Sequence, residues 1–176
     1  MNGERETFVV VNYNAARARA AWARVRSVLG ERGLRFEAHE AKETGDAQAA
    51  ARAALSAGYR TIAVVGGDGT LGEVVTGFFE RENARAPTAT TTAAMPARIN
   101  AEAALAPLPA GTGNDFARGL EGGRASLDGW LERLVKHSRR DGHATTRAAV
   151  EPTTRAVDVL HGTIGALARP FFCLNA

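Results

Sequence analysis

With 176 residues and 45% hydrophobic content, the chain is long enough to bury one core without disulfides, and its single cysteine, Cys173, has no internal partner. The formal charge of +3 comes almost wholly from arginine, Lys42 and Lys136 being the only lysines, and the arginines are too dispersed to form a nucleic-acid-binding stripe. No apolar run approaches the roughly 20 residues of a membrane-spanning helix and no signal-peptide pattern opens the chain, so a reduced, cytoplasmic setting without a transmembrane segment is expected.

Phe8-Val9-Val10-Val11 is rich in β-branched residues and ends at Asn12, which predicts a buried strand. From Ala16 to about Arg32, Ala18, Trp22, Val25 and Leu29 recur at helical spacing with arginines on the other face, and Gly33 supplies a stop. A short strand is expected from Leu34 to Ala38, followed by an alanine-rich helix capped by Asp46 and closed at Gly58. Thr61-Ile62-Ala63-Val64-Val65 is the clearest strand. Leu71, Val74, Val75, Phe78 and Phe79 then predict a helix that begins near Leu71 and fades near Asn83.

Ala, Thr and Pro dominate from 84 to about 102 without periodicity, which predicts a flexible insertion. A weak strand is expected from Ala103 to Leu108, and Ser126 caps a helix striped by Leu127, Trp130, Leu131 and Leu134. The apolar runs at 156–160 and 170–174, with Gly162 and Gly165 between them, predict an antiparallel hairpin. Strands alternating with helices imply crossover connections, hence an α/β fold with a parallel sheet over residues 1–153, and 154–176 reads as the start of a second, β-rich domain.

Two strings carry chemistry. At Gly66-Gly67-Asp68-Gly69-Thr70, a strand runs into three glycines and then a helix, a setting in which backbone N–H groups can approach phosphate oxygens closely. A carboxylate does not attract phosphate, so Asp68 is a candidate for a magnesium-linked water, a proton acceptor or a hydrogen-bond organiser of the loop. Thr70 adds a hydroxyl, although Asp68 or Thr70 could also serve merely as a helix cap. The Walker A pattern is absent. Leu108-Pro109-Ala110-Gly111-Thr112-Gly113-Asn114-Asp115-Phe116-Ala117-Arg118 repeats the arrangement: Gly111 and Gly113 permit close approach, Thr112 offers a hydroxyl, and Asn114 or Asp115 can cap the next helix or join Asp68 in an acidic cluster. Phe116, Trp22 and Trp130 are expected in the core. His39, His137, His143 and His161 show no metal-ligand spacing and are expected at the surface or in loops.

Together, GGDGT and LPAGTGNDFA resemble the catalytic domain of bacterial diacylglycerol kinases and their relatives, the sphingosine and ceramide kinases. GGDGT alone is shared with NAD kinases and, in related form, phosphofructokinases; the second string separates them. The resemblance extends to Val157-Asp158-Val159 and to Pro170 through Ala176, which are similar to that family's passage into its β-rich second domain. It implies an ATP-dependent lipid kinase, with ATP and magnesium as cofactors and diacylglycerol or a related lipid as acceptor at the inner membrane surface. Gly66, Gly67, Asp68, Gly69, Thr70, Leu71 and Gly72 would bind the ATP phosphates with Gly111 and Thr112, Asn12 would make the first nucleotide contact, and Asp68 and Asp115 would be catalytic members of a water-linked magnesium network. A homodimer stays open.

Three departures stand out. Asn12 is followed by Tyr13-Asn14-Ala15-Ala16 where the family often has proline, small residues and glycine. Ala41 occupies a position where the family usually has a nucleotide-contacting threonine. The threonine-rich insertion between the motifs is generally missing from relatives. The resemblance places the lipid groove in the second domain, so residues 1–176 alone are expected to have little or no lipid kinase activity. The alternatives are a soluble-substrate kinase of the NAD kinase kind and a truncated, noncatalytic nucleotide-binding module.

Overall fold

In the computed structural model, which describes residues 7–80, 95–141, 154–164 and 169–175, the first β-branched run forms β1 (Thr7–Asn12) and the arginine-rich amphipathic stretch forms α1 (Ala16–Glu31). Then follow β2 (Phe36–Ala41), α2 (Asp46–Ser56), β3 (Thr61–Gly66), α3 (Asp68–Gly77), β4 (Ala104–Pro109), α4 (Asp115–Glu121) and α5 (Leu127–Asp141). The last elements are β5 (Asp158–Ile164) and β6 (Arg169–Asn175).

The first four strands form one parallel sheet in the order β2-β1-β3-β4. From β1 the chain moves outward to β2, then crosses back to β3 on the other side of β1. The strand order therefore reverses between β1 and β3, and at the carboxyl ends of these strands the outgoing loops diverge and leave a crevice.

Alternation of side chains along the strands divides the core. Val9, Val11, Ala63, Val65 and Leu108 face α1 and α5, where Ala18, Trp22, Val25, Leu29, Leu131, Leu134 and Val135 pack against them. Val10, Ile62 and Val64 face α2 and α3, meeting Ala51, Leu55, Leu71, Val74 and Val75. β3 is buried along its whole length, which explains why its sequence is a continuous apolar run rather than an alternating one. Trp22 is core as expected and donates its indole N–H to Glu40 Oε1 at 3.1 Å, while Trp130 is half-buried.

Packing between α2 and α3 depends on Gly77. A Cβ there would lie 2.6 Å from the Gln48 carbonyl oxygen, so only glycine allows the two backbones this close. Arg52 of α2 reaches across the same contact and donates to the carbonyls of Thr76 at 3.2 Å and Phe79 at 2.5 Å, satisfying acceptors left open at the end of α3.

Several element boundaries differ from expectation. β2 lies two to three residues later than Leu34–Ala38, because residues 36–41 pair in register with β1 while Leu34 packs beside the sheet. α3 starts at Asp68 rather than near Leu71, so most of the first glycine string is helical, and the helix stops at Gly77. Asp46 is not the N-cap of α2. Gly45 holds that position at φ 86°, and the Asp46 carboxylate instead accepts the Lys42 N–H at 3.0 Å and pairs with His39 Nε2 at 2.8 Å. His39, His137 and His161 lie in β2, α5 and β5 rather than in loops and are each partly exposed; His143 lies outside the described residues.

Gly33 and Gly58 do terminate α1 and α2, at φ 69° and 90°. Ser126 does cap α5, accepting the Gly129 N–H at 2.9 Å. Of the expected insertion, 84–94 lie outside the described residues; among 95–102, Arg98 bridges Phe79 and Asn100 donates to the Tyr59 carbonyl at 3.1 Å. β5 and β6 pair antiparallel as expected, with Gly162 inside β5 and Gly165 outside the described residues, and Phe172 stacks on Phe79 at 4.3 Å, seating the hairpin beyond the end of α3.

Candidate nucleotide site

Both glycine strings emerge at the carboxyl edge of the sheet, from neighbouring strands. The ladder between β3 and β4 continues past the strands through the Ala110 N–H, which donates to the Gly66 carbonyl at 2.8 Å. One residue further, Gly67 and Gly111 touch backbone to backbone: a Cβ on Gly111 would lie 2.5 Å from Gly67 Cα, and one on Gly67 would lie 3.1 Å from Gly111 Cα. The cavity left between the loops, bordered by Gly67, Leu71, Pro109 and Asn114, is only about 10 Å³, so any ligand must lie above the pair rather than between them.

The first string forms the turn and first helical turn of α3. Gly67 is the N-cap in extended conformation, and no side chain caps the helix, which leaves its leading N–H groups directed at the crevice. Gly69 and Gly72 have open space where a Cβ would be. Thr70 is only 8% exposed, and its Oγ1 accepts a hydrogen bond from Asn12 Nδ2 at 3.0 Å. A hydroxyl that accepts one bond still has its proton to donate. Leu71 is 6% exposed and packs in the core, so it can meet a ligand only through its backbone.

The second string is held by its own amide. Asn114 adopts the left-handed conformation at φ 54°, the single non-glycine residue among those described with positive φ. Its side chain accepts the Gly111 N–H at 2.8 Å and donates to the Gly111 carbonyl at 3.0 Å, closing the loop over Thr112 and Gly113. A non-glycine residue held in this region marks a position over-determined by its surroundings and is frequent at functional sites. Thr112 is exposed, and the Asp115 side chain is 82% exposed, with Arg118 Nη1 at 3.4 Å.

The α4 N-terminus differs from that of α3. Asp68 Oδ2 accepts the Asp115 N–H at 3.0 Å and Oδ1 accepts the Phe116 N–H at 3.1 Å, so the second helix start is already occupied by a carboxylate from the first string. The expectation that the two strings offer the same anion-binding chemistry twice is corrected accordingly. Neither Asn114 nor Asp115 caps α4; Asp68 does. Asp68 and Asp115 do come together, on either side of Gly113, whose Cβ would lie 3.4 and 3.3 Å from their Oδ2 atoms. No group of three or more metal-ligating residues exists among the described residues.

A second set of contacts fixes the loop after β2. Gly45 N–H donates to Glu73 Oε2 at 3.1 Å, Asn14 donates to the Lys42 carbonyl, and Asp46 holds the Lys42 N–H. The Lys42 N–H, followed by His39, holds the Asp46 carboxyl below its ordinary value. Ala41, at the end of β2, is buried and brings no hydroxyl to the edge. Glu73 escaped sequence reasoning because its partner lies 28 residues away and meets it only through packing of α3 on α2.

Residues 6–147 match the model of the diacylglycerol kinase catalytic domain. The chain belongs to this family. Two curated relatives, each described as "Probable lipid kinase YegS-like" and from Pseudomonas aeruginosa strains PAO1 and UCBPP-PA14, are 43% and 42% identical over 76 residues, covering 43% of this chain and 19% of each relative. A diacylglycerol kinase structure from Bacillus anthracis str. Sterne superimposes with a TM-score of 0.55 at 23% identity, over 78% of this chain and 41% of that one. The family's α/β fold is thus shared, and the chain spans well under half the length of the relatives it matches.

Proposed function

We propose that the protein transfers the γ-phosphoryl group of ATP to the hydroxyl of diacylglycerol or a related lipid, and that residues 1–176 supply the nucleotide half of that reaction. The observation that carries the reading is the convergence of both glycine strings at the carboxyl ends of β3 and β4, with Gly67 and Gly111 in contact, beside the switch point between β1 and β3 that the Asn12–Thr70 bond spans. Uncapped N–H groups at the start of α3, open space at Gly69 and Gly72, and the Thr70 hydroxyl suit phosphate oxygens. Phosphoryl transfer depends chiefly on positioning and charge neutralisation, which rigid loops of this kind provide.

Magnesium fits the residues present. It is commonly held by one or two carboxylates together with substrate phosphates and waters, and Asp115, with Asp68 across Gly113, offers that number. Bound there, magnesium would neutralise charge on the phosphates. On the far side of β4, a groove of about 1290 Å³ is lined by Phe79, Leu105, Phe116, Val157 and Leu174, with Lys136 and Arg155 also bordering it. Its apolar lining supports an acyl-bearing acceptor approaching from this side. No described helix is long and apolar enough to cross a membrane, so access to the lipid is proposed to be peripheral.

The test is to give the protein, with any in-frame sequence that follows residue 176 in its gene, γ-labelled ATP, magnesium, and diacylglycerol and NAD side by side. Label in the lipid is expected; label in NAD alone overturns the proposal. Residues 1–176 by themselves are expected to bind ATP and to transfer no label to lipid.

A further inference from the structure

One stripe of α3 meets three separate parts of the chain. Thr70, Glu73 and Gly77 recur at helical spacing. Thr70 accepts from Asn12 at the end of β1 at 3.0 Å, Glu73 Oε2 accepts the Gly45 N–H in the loop after β2 at 3.1 Å, and Gly77 packs on the Gln48 carbonyl of α2. The helix pair does not depend on the middle contact. Its close approach is fixed at Gly77, and Arg52 reaches from α2 to the carbonyls of Thr76 and Phe79. What Glu73 holds is the loop, residues 42–45. Asp46 accepts the Lys42 N–H at 3.0 Å, and Asn14, in the loop after β1, donates to the Lys42 carbonyl. The bonds close a ring at the carboxyl edge: β1 to α3 through Asn12 and Thr70, α3 to the β2 loop through Glu73 and Gly45, and that loop back to the β1 loop through Lys42 and Asn14.

We infer that Glu73 is a positioning residue for the nucleotide: by holding the Gly45 N–H it sets residues 42–45 against the first turns of α3, as a wall of the crevice that exists before ATP arrives. Its carboxylate would repel phosphate on direct contact, so it acts through the loop. Gly45 lies at φ 86°, a conformation that glycine adopts without strain but does not enforce. The bond from α3 therefore selects one loop geometry among those open to glycine. Without it, ordering of the loop is deferred to the moment of binding and subtracts from affinity. Acceptance of one N–H needs an oxygen at that reach and no charge, so glutamine can replace glutamate here and alanine cannot. The inference rests on the nucleotide-binding reading for its ligand.

The experiment follows amide hydrogen exchange of Gly45 and titrates ATP, with magnesium and again in EDTA, into the wild-type chain, Glu73→Gln and Glu73→Ala. The Gly45 amide is expected to be protected in the wild type and in Glu73→Gln, and to exchange at least about tenfold faster in Glu73→Ala, while amides in the middle of α2 and α3 keep their protection. ATP affinity is expected to fall about tenfold in Glu73→Ala in both buffers and to stay near that of the wild type in Glu73→Gln. A loss as large in Glu73→Gln, or one confined to the magnesium buffer, makes the charge itself the agent and overturns the inference. So does an unchanged affinity in Glu73→Ala. Free exchange of Gly45 in the wild type overturns it as well, a measurement that stands even if a variant does not fold. A wild type that binds no ATP in either buffer defeats the nucleotide reading and this inference with it; one that binds ATP while Glu73→Ala binds it equally well defeats this inference alone.

Discussion

Asn12 and Thr70 join the two strands that flank the reversal in strand order: the Asn12 amide at the end of β1 donates to the Thr70 hydroxyl, 3.0 Å away in the first turn after β3. The bond spans the crevice between the ends of β1 and β3. Family resemblance gives both residues to the nucleotide; the geometry makes them one unit. Thr70→Val preserves shape but removes the acceptor, leaving a half-buried amide without its partner. It is expected to cost about 1 kcal/mol of stability in urea unfolding. If the hydroxyl meets a phosphate as proposed, its loss lowers ATP affinity by about tenfold in calorimetry. An unchanged affinity would remove Thr70 from the site.

Glycines at the carboxyl edge separate into two kinds. Gly111→Ala drives a methyl group into the Gly67 backbone and to 2.9 Å from Asn114 Oδ1, so the loops must part. The expected loss is about 1–3 kcal/mol, read by thermal unfolding, with nucleotide binding lost as well. Gly69→Ala meets nothing within 4 Å and should leave the fold intact or stabilise it by up to about 1 kcal/mol. Its methyl group would nevertheless enter the space proposed for a phosphate, so ATP affinity is expected to fall while stability does not.

Alanine forms helices better than glycine by about 1 kcal/mol, yet Gly77→Ala is expected to destabilise the protein. The added methyl would sit 2.6 Å from the Gln48 carbonyl and 3.0 Å from the Ala51 Cβ, so α2 and α3 must separate at an overpacking cost of about 1–3 kcal/mol. Urea unfolding of this variant beside Gly30→Ala, a helical site with open space, distinguishes packing from propensity.

Acid should weaken the loop after β2. The Lys42 N–H and then His39 hold the folded-state pKa of Asp46 below its ordinary value of 3.8. A depressed carboxyl contributes stability that is fully present above that ordinary value and disappears as pH falls through the lowered folded one. Asp46→Asn is therefore expected to lower the melting temperature near neutral pH, with the difference from wild type shrinking below pH 3.8. A difference that grows in acid would contradict the assignment.

The strands β1 and β3, the amphipathic helix α1 and the hairpin were legible because each is written in a local pattern: β-branched runs, a 3.6-residue stripe, or paired apolar segments around glycine. β2 was displaced because Phe36-Glu37-Ala38-His39-Glu40-Ala41 has little apolar contrast, and its register is set by β1 rather than by its own side chains. α3 was started late because the apolar stripe begins at Leu71, whereas helical backbone geometry begins at Asp68. Site composition was visible in the two strings; their relation was not. Nothing local to Asp68 says that its carboxylate holds Asp115 and Phe116, nor does anything near Gly45 point to Glu73. Such contacts exist only once parallel strands bring distant loops to one edge.

ATP is proposed to bind at this edge through the first string. Titrating magnesium ATP into the isotopically labelled chain and following backbone amide resonances tests it most directly. Saturable shifts are expected at Asn12, Gly66 through Gly72, Gly111 and Thr112, with the amides of β5 and β6 unmoved. No saturable shift, or shifts gathered on the hairpin and away from Gly67 and Gly111, would contradict it.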